Sequence, residues 1–271
     1  MKNSMKHLFI TAMMILGLFG IVRAEETEVT VPSVSISGEF SSDFTFGESV
    51  SFSTPYTGLN FSGDGWVLNT NLSDGNVNVE EANYSWSITE AVTLTFGSQA
   101  EPYGIAWGLH RPSNNQFIST PREHNVTDGF GVGVSQWGVG INFLYGSEEY
   151  WAARASYNLS LLGIDSEIGL SSNSNEAQLV DVGVGGSFLG FPFSTSLEYD
   201  LSEEADGAYW LRNVVTPDFL KGAYLLVGYN SDEEVLYGVG YKCTDNMKVV
   251  TEFSSVDEDA SDVVVRASYS F

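Results

Sequence analysis

The charged residues of this chain fall into two settings that allow different chemistry. Many stand singly inside alternating segments: Glu39 and Asp43, Arg154, Asp165 and Glu167, Asp181, Glu198 and Asp200, Arg212, Lys248 with Glu252, and Arg266. A strand would turn such charges to one face and their apolar neighbours to the other. The second setting is 98–128, which gathers Glu101, Trp107, His110, Arg111, Arg122, Glu123 and His124. Neither reads as a catalytic centre. Acyl transfer needs a serine held against a histidine and a carboxylate, and no Ser-containing motif accompanies His110 or His124, neither of which falls on a predicted strand. Gly183, Gly185 and Gly186 precede no helix and so are not a phosphate loop. The acidic run from Asp257 to Asp262 lacks the glycine and spacing of a calcium loop, so no metal and no cofactor is expected. Carboxylates along a water-filled wall can, however, select ions by attracting cations and repelling anions.

The elements that must position these groups are strands. Val34, Ile36, Phe40, Phe44 and Phe46 alternate with Ser35, Ser37, Glu39, Ser41, Asp43 and Thr45. The same period runs through Trp137–Tyr145, Trp151–Leu159, Val180–Phe188, Phe191–Tyr199, Ala223–Tyr229, Val235–Tyr241 and Met247–Phe253. A β-sandwich also alternates, but its strands are usually about 5–6 residues, and several of these reach ten. Charge in mid-strand, as at Asp165, Glu167, Asp181, Glu198, Arg154 and Arg266, suits a barrel with a wet lumen. The segments read as strands are 34–46, 49–61, 64–73, 76–87, 91–98, 129–135, 137–146, 149–160, 162–171, 177–189, 190–201, 206–214, 222–230, 234–242, 246–254 and 262–271. The fold class is therefore all-β: a transmembrane antiparallel β-barrel of sixteen strands. The segment 49–61 contains Pro55, and its apolar parity slips between Tyr56 and Leu59, which predicts a bulge near Gly58.

Composition agrees with this placement. With 11 basic and 35 acidic residues the chain carries a formal charge of −24, which excludes nucleic acid as a partner. Acidic disordered chains are poor in aromatics, whereas this one is 13% aromatic. The single Cys243 excludes an internal disulfide framework. Lys2 and Lys6, the apolar run 8–22 and Val22-Arg23-Ala24 predict a secretory signal over 1–24, followed by a segment, 25–33, too short for a domain.

The last strand, 262–271, has an apolar face of Val263, Val265, Ala267, Tyr269 and Phe271. It resembles the terminal strand of bacterial outer-membrane barrels, which implies that Tyr269 and Phe271 serve as an assembly signal read by the outer-membrane assembly machinery. Counting back from it makes 98–128 the third loop on the external side. A sixteen-stranded barrel with a long third loop resembles the Gram-negative porins. Leu94-Thr95-Phe96-Gly97-Ser98-Gln99-Ala100-Glu101-Pro102-Tyr103-Gly104 also resembles the strand-to-loop passage of the porin group that contains phosphate-selective channels. Those channels line their pores with Lys and Arg, so phosphate selectivity is not carried over to a chain this acidic.

The resemblance implies passive diffusion of small hydrophilic solutes past a third loop folded into the pore. It also implies a transverse field, with Arg154, Arg212 and Arg266 on the basic side and Glu101 and Glu123 on the acidic side. The other reading is that each arginine braces the barrel by pairing with lumen acids such as Asp165, Glu167 and Glu198. Arg111 and Arg122 could hold the loop inside. Arg212 is ambiguous, because Tyr209–Leu211 and Ala208–Trp210 both make an outer face. A homotrimer is implied as well. Acid clusters at 146–149, 202–207, 230–234 and 257–259 gather on one rim, as solvated turns or as a contact to lipopolysaccharide through divalent cations. The rival functions are a structural or adhesin barrel and a barrel hydrolase.

Overall fold

A computed structural model describes residues 34–47, 49–73, 76–105, 116–118, 125–188, 190–202, 208–217, 219–255 and 262–271, the side chain of Glu148 excepted. The chain divides into Met1–Val34 and Ser35–Phe271, and the second unit is the barrel. The expected signal 1–24 and the segment 25–33 lie outside the described residues.

Sixteen strands are found among the described residues. The first eight are β1 (Ser35–Phe46), β2 (Val50–Gly63), β3 (Trp66–Ser73), β4 (Asn76–Thr89), β5 (Val92–Ala100), β6 (Val126–Gln136), β7 (Val139–Gly146) and β8 (Trp151–Leu161). The second eight are β9 (Ile164–Asn173), β10 (Gln178–Phe188), β11 (Phe191–Asp200), β12 (Tyr209–Val215), β13 (Ala223–Asn230), β14 (Val235–Lys242), β15 (Met247–Ser255) and β16 (Val263–Ser270). Each pairs antiparallel with its sequence neighbours, and β1 pairs with β16 to close the barrel. Beyond β16, Phe271 and Gly38 exchange two backbone hydrogen bonds of 3.1 and 3.0 Å, which extends the seam by one rung. Closure leaves no exposed sheet edge, the condition for crossing lipid with strands.

The outer face carries the hydrophobic set. Ile36, Phe44, Phe52, Trp86, Ile141, Ile168, Leu170 and Val227 are all exposed, as residues facing lipid must be when no second layer covers them. Aromatics concentrate at both ends. Tyr145, Tyr199 and Tyr229 stand near the end with the longer connections, and Trp137, Phe188, Phe191 and Phe219 near the end with tight turns. Such paired girdles mark the two membrane interfaces.

Two features depart from expectation. The irregularity in β2 lies at Thr54–Pro55, opposite Ser42, and not near Gly58. Pro55 has no N–H for the ladder, so the extra residue collects there. Gly58 remains in register and instead makes room for the inward Tyr56, whose hydroxyl would lie 2.6 Å from a Cβ at 58. The inner face is also not polar throughout. Val214, Tyr224, Leu226, Leu236 and Val250, from β12 to β15, form a buried apolar patch inside the barrel.

Candidate functional site

The connection between β5 and β6 supplies what fills that patch. At its root, Glu101 accepts hydrogen bonds from Thr127 Oγ1 and from the Tyr150 hydroxyl, both at 2.7 Å. Burial, followed by the Glu101 carboxylate, pushes the Tyr150 phenol above its ordinary value, so it stays protonated and donating. Glu101 is therefore a bracket for the loop base. Its neighbour Ala100 donates its N–H to Glu81 at 3.3 Å.

A few residues further on, the chain is deep in the lumen. The Gly104 N–H donates to Ser171 Oγ on β9 at 3.0 Å. Gly104 has φ of +76°, and a Cβ there would lie 2.7 Å from both Glu198 Oε1 and Leu179 Cδ2. Only glycine fits that conformation and that approach. Ile105 then packs against Gly183 on β10.

The second described segment, 116–118, docks on the opposite side. Phe117 is 3% exposed, set among Val214, Tyr224, Leu226, Leu236 and Val250. The Arg212 guanidinium carbon sits 4.3 Å from the centre of its ring, a cation–π contact. Ile118 is gripped by its backbone: its N–H donates to Glu252 Oε2 at 2.9 Å, and its carbonyl accepts from Arg266 Nη1 at 3.0 Å. In the ring of strands, β13 and β14 stand half a circumference from β5 and β6. The loop therefore reaches from its root to the far wall.

The arginines have distinct settings. Arg154 is almost wholly buried and lies 2.6 Å from Asp181 and 2.6 Å from Glu167. Arg266 clasps Asp43 through two 2.7 Å bonds. Arg212 is opposite Ser196 and faces inward, which removes the ambiguity. The outer face of β12 is then Tyr209, Leu211, Asn213 and Val215, where Asn213 is satisfied by Thr195 at 2.9 Å. Of the remaining inward candidates, Glu39, Asp43, Glu198, Asp200 and Glu252 are buried on the lumen face, and Lys248 shares it. His110, Arg111, Arg122, Glu123 and His124 lie outside the described residues.

Sequence reasoning missed Phe117, Ile118 and the pair Glu80–Glu81. In β4 the register slips where Asn69 pairs with Glu81 and Thr70 with Val79. The extra residue, Glu80, joins Glu81 on the inner face, where Tyr56 donates to Glu80 at 3.0 Å and Asn69 donates to Glu81. Consecutive glutamates inside an otherwise alternating strand were the available signal.

Between the loop and β8–β12 lies a cavity of about 530 Å³. Ile105 and Phe117 border it from the loop, with Asp165, Glu167 and Arg212 from the wall. Among the described residues no group of three or more His, Cys, Asp or Glu could hold a metal ion, and no helix is long and apolar enough to cross a membrane.

An apolar belt outside, charges inside and an inward loop define a transmembrane β-barrel of the outer-membrane kind. No protein-family model matches the chain, and no curated protein matches it. Its fold is shared with solved outer-membrane barrels of low sequence identity. A variant of the porin of Rhodopseudomonas blastica superposes with a TM-score of 0.65 at 13% identity, covering 88% of this chain and 100% of that one. The outer-membrane protein OmpT of Vibrio cholerae gives 0.63 at 11% identity, covering 91% and 100%. A trimer form of OmpT gives 0.60 at 12%, covering 89% and 100%.

Proposed function

We propose that this protein is an outer-membrane porin through which small hydrophilic solutes and ions diffuse passively, with a weak preference for cations. The observation that carries this reading is the loop docked inside the lumen. Gly104 sits against β9–β11 and Phe117 against β12–β15, so the passage is narrowed by the chain's own loop and not filled by a packed core. The protein acts as a passage and not as an enzyme.

The charge on the wall sets the preference. Arg154 is shared by two carboxylates and Arg266 is clasped by Asp43. Glu39, Glu80, Glu81, Asp165, Glu198 and Glu252 add further acid to the inner face. At physiological salt the Debye length is ~8 Å, so these groups act where the loop brings the permeating ion close to the wall. A homotrimer is in keeping with the trimer form of OmpT. The end carrying the loop is the external one in this reading, and its acidic turns meet lipopolysaccharide through divalent cations. Tyr269, on the strand that closes the seam, and Phe271, one residue beyond it, are the assembly signal in this reading.

Reconstitution in planar bilayers under a KCl gradient tests the proposal. Discrete conductance steps with a reversal potential on the cation side are expected. An anion preference would overturn the selectivity. Absence of conductance from folded barrels would move the assignment to a structural or adhesin barrel.

A further inference from the structure

We infer that the cavity under the loop binds hydroxylated primary amines of monosaccharide size in their protonated form, with Asp165 as the anchor for the ammonium group. This rests on the porin reading and names a solute class that the passage retains. At about 530 Å³ the cavity falls inside the ~300–1,000 Å³ of small-molecule sites.

The charged groups at its border differ in what they already hold. Glu167 lies 2.6 Å from Arg154. Arg212 is set over the Phe117 ring, with the carboxylates of Glu252 and Glu198 acting on it. Asp165 is in a different state. It accepts a hydrogen bond from the Ser160 hydroxyl, and among the described residues no cation pairs with it. It is also exposed on the cavity wall, where a solute can reach it.

The register sets what surrounds this carboxylate. Ser160, Asp165, Gly185 and Ser194 stand in one cross-strand row of the inner face. The next row holds Asn158, Glu167, Gly183 and Ser196. Ile105 covers Gly183, where a Cβ would lie 2.6 Å from its Cδ1. Gly185 is left open: the nearest atom to a Cβ there is the Phe193 carbonyl oxygen, at 3.7 Å. The recess over Gly185 therefore has Asp165 on one side and Ser194 on the other. Two strand spacings separate them, roughly 10 Å between backbones.

That lining fits a small organic cation that carries hydroxyls. Its ammonium group donates to Asp165 in a charge-assisted bond. Hydroxyls both donate and accept, so they can match Ser194, Ser196 and Asn158. Ile105 and Phe117 offer apolar cover to the carbon skeleton. An inorganic divalent ion is served less well, because it calls for a cluster of oxygen ligands and the described residues supply no such group. A solute carboxylate meets Asp165 as a like charge, and a neutral sugar leaves Asp165 unanswered.

The test uses the full-length protein in planar bilayers in KCl at about pH 6, below the range of ordinary amines, with glucosamine as the probe. Glucose, N-acetylglucosamine and ethylamine serve as comparisons: the first two lack the charge and the third lacks the hydroxyls. Glucosamine is expected to reduce the current at concentrations about tenfold below those needed by the other three. Asp165→Asn removes the charge, and Gly185→Leu fills the recess; each should raise the half-blocking concentration about tenfold. Block by ethylamine equal to that by glucosamine reduces the effect to diffuse wall charge and overturns the site. Equal block by glucose, or unchanged block in either variant, overturns it too. Heat-modifiable gel migration checks that each variant is folded, and the solute series on the wild-type channel decides alone where one is not. A channel that conducts KCl without discriminating the solutes sinks this site and leaves the porin reading standing. With no conductance the porin reading fails, and saturation-transfer NMR on the detergent-solubilised barrel then decides the site. Contact with glucosamine in preference to glucose supports it, and no preference removes it.

Discussion

Arg266 and Asp43 face each other directly across the β1–β16 seam, and the guanidinium meets the carboxylate through two bonds of 2.7 Å. The remaining nitrogen, Nη1, holds the Ile118 carbonyl at 3.0 Å. One side chain thus fastens barrel closure to loop position. Arg266→Met leaves Asp43 without its cation and Ile118 without its donor. Breaking a buried pair from one side costs about 3–5 kcal/mol, and because water still reaches this part-buried pair the lower end applies. The variant should show a lower thermal midpoint in heat-modifiable gel migration, together with noisier single-channel current.

Phe117→Ala separates loop docking from barrel stability. Removing a buried phenylalanine costs about 3–5 kcal/mol, and here that loss falls on the contact between loop and wall. Single-channel conductance should rise while the thermal midpoint stays close to wild type, because the strand ladder is untouched. Leu226→Asn should reproduce the rise from the wall side of the same contact.

Arg154 tests bracing. Asp181 is fully buried beside it. Arg154→Met should destabilise the barrel by about 3–5 kcal/mol by leaving a buried carboxylate uncompensated. The double variant Arg154→Met with Asp181→Leu should recover much of that loss, as read from the two thermal midpoints.

Tyr150→Phe removes one of the two donors to Glu101, a charge-assisted bond worth about 1.5–3 kcal/mol. The phenol's pKa is raised in the fold, so its contribution is fully present below the ordinary value of 10.0 and is lost as pH climbs through the raised value. Conductance of the wild type should therefore hold steady from neutral pH to about 10 as far as this bracket is concerned, and Tyr150→Phe should show raised current noise across that whole range.

The strand ladder was legible because the lipid-facing side of nearly every strand is an unbroken apolar set, and a closed barrel permits few arrangements of such strands. The loop's length marked it as functional, and its inward path was expected only from the resemblance to porins. Its docking site was hidden for a physical reason: Tyr224, Leu226, Leu236 and Val250 make both faces of β13–β15 apolar, so the inner patch reads as lipid-facing sequence. Trp210 did the same on β12 and left the direction of Arg212 open until the Ser196–Arg212 pairing set it. Pro55 displaced the bulge expected near Gly58, and the bulge at Glu80 broke the alternation that would have revealed a second inward glutamate. Glu101 carries the right charge for a constriction, and its bonds to Thr127 and Tyr150 could not be read from the sequence because they join residues 26 and 49 positions away.

The reversal potential of the reconstituted wild-type channel under a KCl gradient bears most directly on the central claim. A narrowed, net-acidic lumen predicts discrete conductance and a reversal potential displaced toward that of potassium. A folded barrel that passes no current, or one whose reversal potential moves toward that of chloride, would contradict it.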